Sequence, residues 1–105
     1  MFNAPPVVAT RVVAQLPTAF HVHGRVSGRY ESRPFYLEAP AFDRDGTLYF
    51  SDIPGGRIFR LRPGSDIELF VEYKGEPNGI KLHRDGRIFV ADYQRGILAI
   101  DPLTR

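Results

Sequence analysis

The sequence contains no cysteine. That excludes a disulfide framework and any thiolate metal site, and it fits a reducing compartment. Charge of one sign is scarce as well. The formal net charge is only +2. Although the pI is 9.2, the arginines stand singly among acids: Arg44 lies between Asp43 and Asp45, and Arg84 precedes Asp85. Without a basic stripe there is no electrostatic footprint for nucleic acid. Apolar runs stop after a few residues, far short of the roughly 20 that a membrane-spanning helix needs. The opening Met1-Phe2-Asn3-Ala4-Pro5-Pro6 lacks a positive region followed by an apolar core, so no signal peptide is expected. A cytoplasmic protein with neither nucleic-acid nor membrane partners is the expectation. No stretch sustains a 3.6-residue apolar period, so no helix is predicted, and no P-loop or dinucleotide fingerprint occurs.

Hydrophobic residues make up 43% of the 105 and aromatics 12%, a composition that folds. What organises them is a repeat. The segment Phe42-Asp43-Arg44-Asp45-Gly46-Thr47-Leu48-Tyr49-Phe50-Ser51-Asp52 is echoed by Leu82-His83-Arg84-Asp85-Gly86-Arg87-Ile88-Phe89-Val90-Ala91-Asp92, at an offset of 40 residues. One residue shorter, Ile58-Phe59-Arg60-Leu61-Arg62-Pro63 returns as Ile97-Leu98-Ala99-Ile100-Asp101-Pro102. A period of about 40 is that of a propeller blade.

Each unit reads strand, turn, strand, turn, strand. Arg-Asp-Gly at 44–46 and 84–86 supplies a hairpin turn, because Gly accepts the positive φ that tight hairpins need. Pro54-Gly55-Gly56 and Gln94-Arg95-Gly96 do the same one strand later. Leu48-Tyr49-Phe50 and Ile88-Phe89-Val90 are unbroken apolar runs, the pattern of strands covered on both faces. In 66–73, Ile67, Leu69, Val71 and Tyr73 alternate with mostly acidic positions, which predicts a half-exposed outer strand. The first repeat thus has four strands over roughly 38–73, and the second, from 78, has three before Arg105. The prediction is an all-β chain: a partial β-propeller of about two four-stranded antiparallel blades, the second incomplete, over residues 37–105. Residues 1–36 form an N-terminal segment in which Val7–Leu16 has the composition of a strand that could close a propeller ring.

The string from Leu37 to Pro54, LEAPAFDRDGTLYFSDIP, resembles the first-blade signature of the SMP-30/gluconolactonase/LRE-like family, in which an E-G-P motif precedes a strand ending in a D-I-P turn. Gly56-Arg57-Ile58-Phe59-Arg60 and the run from Gly75 to Asp92 continue the likeness in order and spacing, so that it covers about 37–102. The resemblance implies a six-bladed fold around a channel, a divalent cation at its mouth (calcium above all, with zinc, magnesium or manganese as alternatives), and hydrolysis of a sugar lactone as the small-molecule substrate. The family's metal-binding glutamate maps onto Glu38. At the next position Ala39 replaces the family's glycine, and a positive φ there would strain it by about 1 kcal/mol or more.

The residues add a second candidate. The 40-residue offset carries Glu38 onto Asn78, and both sit just before the first, innermost strand of their repeats. Equivalent positions in successive blades point toward one axis, which would bring a carboxylate and an amide carbonyl together. Both are hard oxygen donors, suited to calcium, magnesium or manganese. Asn78 is therefore a candidate metal ligand or substrate contact. The alternative for the same residues is a solvated Glu38 and an Asn78-Gly79 turn. Calcium takes six to eight oxygens, so two ligands do not make a site, and the chain alone is expected to be inactive.

Other residues carry less. His21 and His23 would share a strand face but have no third ligand nearby. His83 beside its turn reads as surface. Ser51 lacks a nucleophile-elbow context, so no catalytic residue is assigned. Asp52 and Asp92 recur at strand ends, where a carboxylate bonds turn amides. Two non-catalytic readings stand beside the lactonase: a ligand-binding module, and a fragment that self-associates through its open blade edges, for instance three copies forming a closed ring.

Overall fold

The structure, a computed structural model, describes residues 3–21 and 33–104. Seven strands follow one another: β1 (Leu37–Phe42), β2 (Leu48–Asp52), β3 (Arg57–Leu61), β4 (Ile67–Glu72), β5 (Pro77–Leu82), β6 (Ile88–Asp92) and β7 (Gly96–Ile100). They form two antiparallel meanders, β1-β2-β3-β4 and β5-β6-β7. The chain is all-β, and the two sheets are those of a partial propeller. The sole helical element among the described residues is a 3-10 turn, Thr18–Phe20.

The repeat in the sequence is a repeat in hydrogen bonds. Asp43 N–H donates to the Thr47 carbonyl and His83 N–H to that of Arg87, each at 2.9 Å. Gly46 and Gly86 close these hairpins with φ of 82° and 94°, a region that only glycine enters without strain. Ile53 N–H donates to the Tyr36 carbonyl, and Tyr93 N–H to that of Glu76.

Strand alternation sends each blade's side chains to two faces. One cluster lies between the blades: Tyr49, Ile58 and Phe70 of the first meet Ile80, Ile88, Val90 and Ile100 of the second. The other lies behind the first blade, where Phe50 and Phe59 are covered by Leu16, Phe20 and Phe35. Strand β2 is therefore buried on both faces, with Tyr49 and Phe50 each 7% exposed. Strand β6 is covered on one: Val90 is fully buried, while Phe89 is half-buried and its neighbour Ile97 is 74% exposed.

One expectation needs revising. The outer strand β4 does not bury the predicted alternating set. Its most buried residue is Phe70, at 3%. Ile58 pairs with Val71 and Phe59 with Leu69, so Phe70 is the extra residue of a bulge, and a bulge resets the alternation. Phe70 turns inward and meets Tyr49 edge-on, with ring centroids 5.3 Å apart. Val7–Leu16 forms no strand in this chain. Val7, Val8, Val12 and Val13 are exposed, and only Leu16 is buried, against Phe50 and Phe59. A ring-closing strand pairs with the far end of the ring, and no such partner is among the described elements.

Candidate functional site

The innermost strands β1 and β5 lie side by side where the blades meet. Each begins with a bulge. On β1, Glu38 pairs with Ser51 and Ala41 with Tyr49; on β5, Pro77 pairs with Asp92 and Gly79 with Ala91. Asn78 is the extra residue of the second bulge. Glu38, by contrast, stays in register with Ser51 and borders the irregularity at 39–40, so the two inner strands bend at nearby but not identical positions.

The backbones of these two residues are joined by a third. The Ser51 hydroxyl lies 3.2 Å from the Glu38 carbonyl oxygen and 2.9 Å from that of Asn78. Ser51 is fully buried. Both carbonyls lie within hydrogen-bonding distance of that one hydroxyl, so the second residues of both inner strands converge on it. Sequence reasoning examined Ser51 only as a nucleophile and missed this role. Its repeat counterpart Ala91 has no hydroxyl, and that asymmetry was the available signal.

The side chains hold local positions. Glu38 is half-buried beside an apolar recess of about 320 Å³ lined in part by Leu16, Leu37, Pro40 and Phe50. Its Oε2 sits 3.4 Å from the Ala39 N–H, and it has no cationic partner among the described residues. Asn78 donates from Nδ2 to the Tyr93 hydroxyl at 2.8 Å, which directs an amide N–H, not the carbonyl, at its neighbour. Backbone convergence is present; no contact joins the two side chains.

Ala39 takes φ 53°, the positive value foreseen as a strain, and it is the sole non-glycine residue to do so among those described. An L-residue there pays roughly 1–2 kcal/mol. Its counterpart Gly79 does not use the region.

The recurring aspartates are structural, as expected. Asp52 accepts from the Tyr36 N–H at 2.7 Å and from the guanidinium of Arg57 through Nε at 3.0 Å. The pair is buried: side-chain exposure is 3% for Arg57 and zero for Asp52. Asp92 accepts from the backbone N–H of Glu76, Gln94 and Arg95, each within 2.9 Å, and from the Tyr73 hydroxyl at 2.7 Å. Burial acts to raise the Asp92 pKa. The Tyr73 hydroxyl and those amides outweigh it and hold the carboxyl below its ordinary value. Burial, with the Asp92 carboxylate second, pushes the Tyr73 phenol well above its usual range.

Among the described residues the histidines form no site. His21 tilts against Phe35 with centroids 5.1 Å apart, and His23 lies outside the described residues. His83 is exposed and pairs with Asp85 at 2.9 Å. Among the described residues no three His, Cys, Asp or Glu side chains group as metal ligands. No helix among them is long and apolar enough to cross a membrane.

No family model matches the chain. Curated relatives do. The protein named Lactonase drp35 from Staphylococcus aureus (strain USA300) is 45% identical over 56 residues, 51% of this chain and 17% of its own length. Lactonase drp35 from Staphylococcus saprophyticus subsp. saprophyticus is 39% identical over 72 residues, 62% of this chain and 22% of its own. These relatives are lactonases. The resemblance to the SMP-30/gluconolactonase type that the motifs carry is borne out. The chain spans about a fifth of the length of the lactonases it matches.

Proposed function

We propose that this chain is part of a divalent-metal-dependent sugar-lactone hydrolase, supplying Glu38 as a metal ligand and Asn78 as a ligand or substrate contact. The observation that carries the reading is the Ser51 junction, which holds the starts of both inner strands together. The donor set fits in part. Glu38 and Asn78 are hard oxygen donors, and the Glu38 carboxylate is not engaged by a cation among the described residues. They are two donors where calcium takes six to eight, so the chain alone is inactive in lactone hydrolysis. A bound cation would polarise a lactone carbonyl and lower the pKa of a water. In that setting Glu38 would contribute the anionic oxygen, and Asn78, anchored through Nδ2 to Tyr93, would turn its Oδ1 toward cation or substrate. Calcium is the first expectation, with zinc, magnesium or manganese as alternatives.

Calcium titration followed by thermal melting tests this, because a ligand specific to the native state raises its stability. The midpoint should rise with calcium in the complete protein of which this chain would be part, and stay fixed in its Glu38→Gln variant. A complete six-bladed protein containing this chain that is indifferent to every one of these cations would sink the reading.

A second reading rests on the uncovered forward face of the second blade, where Ile97 is exposed beside half-buried Phe89, and on the outer edge of β7. These favour self-association, including assembly of three copies, over hydrolysis. Sedimentation at several concentrations separates the two, since a strictly monomeric species excludes the assembly.

A further inference from the structure

We propose that Ser51 is a positioning residue: its hydroxyl pins the inner strands of the two blades together and so fixes the separation of Glu38 and Asn78. This deepens the function proposed above and rests on it for its purpose, though not for its geometry.

The interblade cluster of Tyr49, Ile58, Phe70, Ile80, Ile88, Val90 and their partners is apolar. Apolar packing is non-directional; it brings two sheets into contact without setting their relative height. A hydrogen bond is directional, weakening steeply away from linear geometry. Ser51 is on β2, at the register position paired with Glu38, and its side chain crosses to the β5 carbonyl of Asn78. It lies at zero exposure, so water does not compete for its hydrogen. The contact involves the carbonyls of the two residues whose side chains are the candidate ligands, one in each blade. A sideways or vertical slip of one blade against the other would lengthen one or both of these contacts and change the spacing of those side chains.

The repeat sharpens this. The second blade has Ala91 where the first has Ser51, so the pin belongs to this one junction and is not a generic device of the 40-residue unit.

The test uses the full chain with Ser51→Ala and Ser51→Cys, the latter keeping a side chain of similar size with a weak donor. Without any metal, the backbone carbonyl ¹³C shifts of Glu38 and Asn78 should move together in Ser51→Ala and move less in Ser51→Cys, while those of the turn at 84–86 stay fixed. With Tb³⁺ alone as a calcium surrogate, sensitised through the Tyr93 ring next to Asn78, affinity should fall about 10-fold in Ser51→Ala, the scale of losing support behind a ligand. Ser51→Cys should fall between. Should Ser51→Ala not fold, Ser51→Cys carries both readouts against the parent. Unmoved Glu38 and Asn78 carbonyl shifts overturn the proposal. So does Tb³⁺ affinity that is unchanged in the Ser51 variants while Glu38→Gln abolishes it. If the parent binds no Tb³⁺, the carbonyl shifts alone decide whether Ser51 pins the blades.

Discussion

The two blades use the same positions for the same strands and then meet different neighbours. Leu48, Phe50, Phe59 and Leu61 face backward from the first blade, and Ile88, Val90, Leu98 and Ile100 face backward from the second. The first set is covered by Leu16, Phe20 and Phe35; the second is covered by a whole sheet. Forward, Tyr49 and Ile58 are buried by the second blade, while their counterparts Phe89 and Ile97 have no third sheet among the described residues. A repeat fixes which side chains are presented, and position in the array fixes what covers them.

The strand-end aspartates divide the blades further. Asp52 is neutralised by a buried arginine; Asp92, at the matching place, is held by neutral donors and by Tyr73, which arrives from the end of the first blade. The largest effect should come from breaking the charged version. Arg57→Ala leaves a buried carboxylate unpaired and should cost about 3–5 kcal/mol in a urea melt. Asp92→Asn removes an acceptor from neutral donors and should cost about 1–3 kcal/mol. Equal losses would erase the distinction.

Next in size is a pH effect confined to the second version. The folded Asp92 pKa lies below its unfolded value, so its contribution is complete above the ordinary carboxylate pKa and is lost as pH falls through the depressed value. Tyr73 has the opposite sign. Its folded pKa is raised, so stability is fully present below about pH 10 and drains away as pH climbs above it toward the folded value. Urea midpoints against pH should therefore fall at both ends. Tyr73→Phe should flatten the alkaline limb, and an unchanged alkaline limb would refute the assignment.

The smallest effect concerns the two bulges. Ala39→Gly relieves the residue at φ 53° and should stabilise the chain by about 1 kcal/mol. Gly79→Ala should not carry the matching penalty, because its φ is not positive and an added Cβ meets only the Ala91 Cβ at 3.5 Å, an ordinary contact. Stabilisation of about 0.4–1 kcal/mol is expected from the restricted unfolded chain. Denaturant midpoints of the two variants check this, and a destabilised Ala39→Gly would contradict the strain.

Much of the fold was legible. The 40-residue echo, the Arg-Asp-Gly turns and the apolar runs place all seven strands, because turn chemistry and strand composition act locally. The bulge at Phe70 was not legible, since the extra residue is defined only against its partners Ile58 and Phe59 on β3. At the candidate site, Glu38 and Asn78 were singled out by motif and offset, and the strain at Ala39 by its departure from glycine. Ser51 and Tyr73 were missed as partners because their contacts cross from one blade to the next.

By itself the sequence determined the period, the strands, the hairpins and which oxygen-bearing residues open each inner strand. Those follow from the chirality of turns and from alternation along a strand, which any local stretch carries within itself. The tertiary structure decided that Leu16 caps one blade, that Tyr73 serves the aspartate of the next, and that Ser51 ties Glu38 to Asn78. Each of these needs two segments distant in sequence to be brought within hydrogen-bonding or van der Waals range, and only the packed sheets impose that distance.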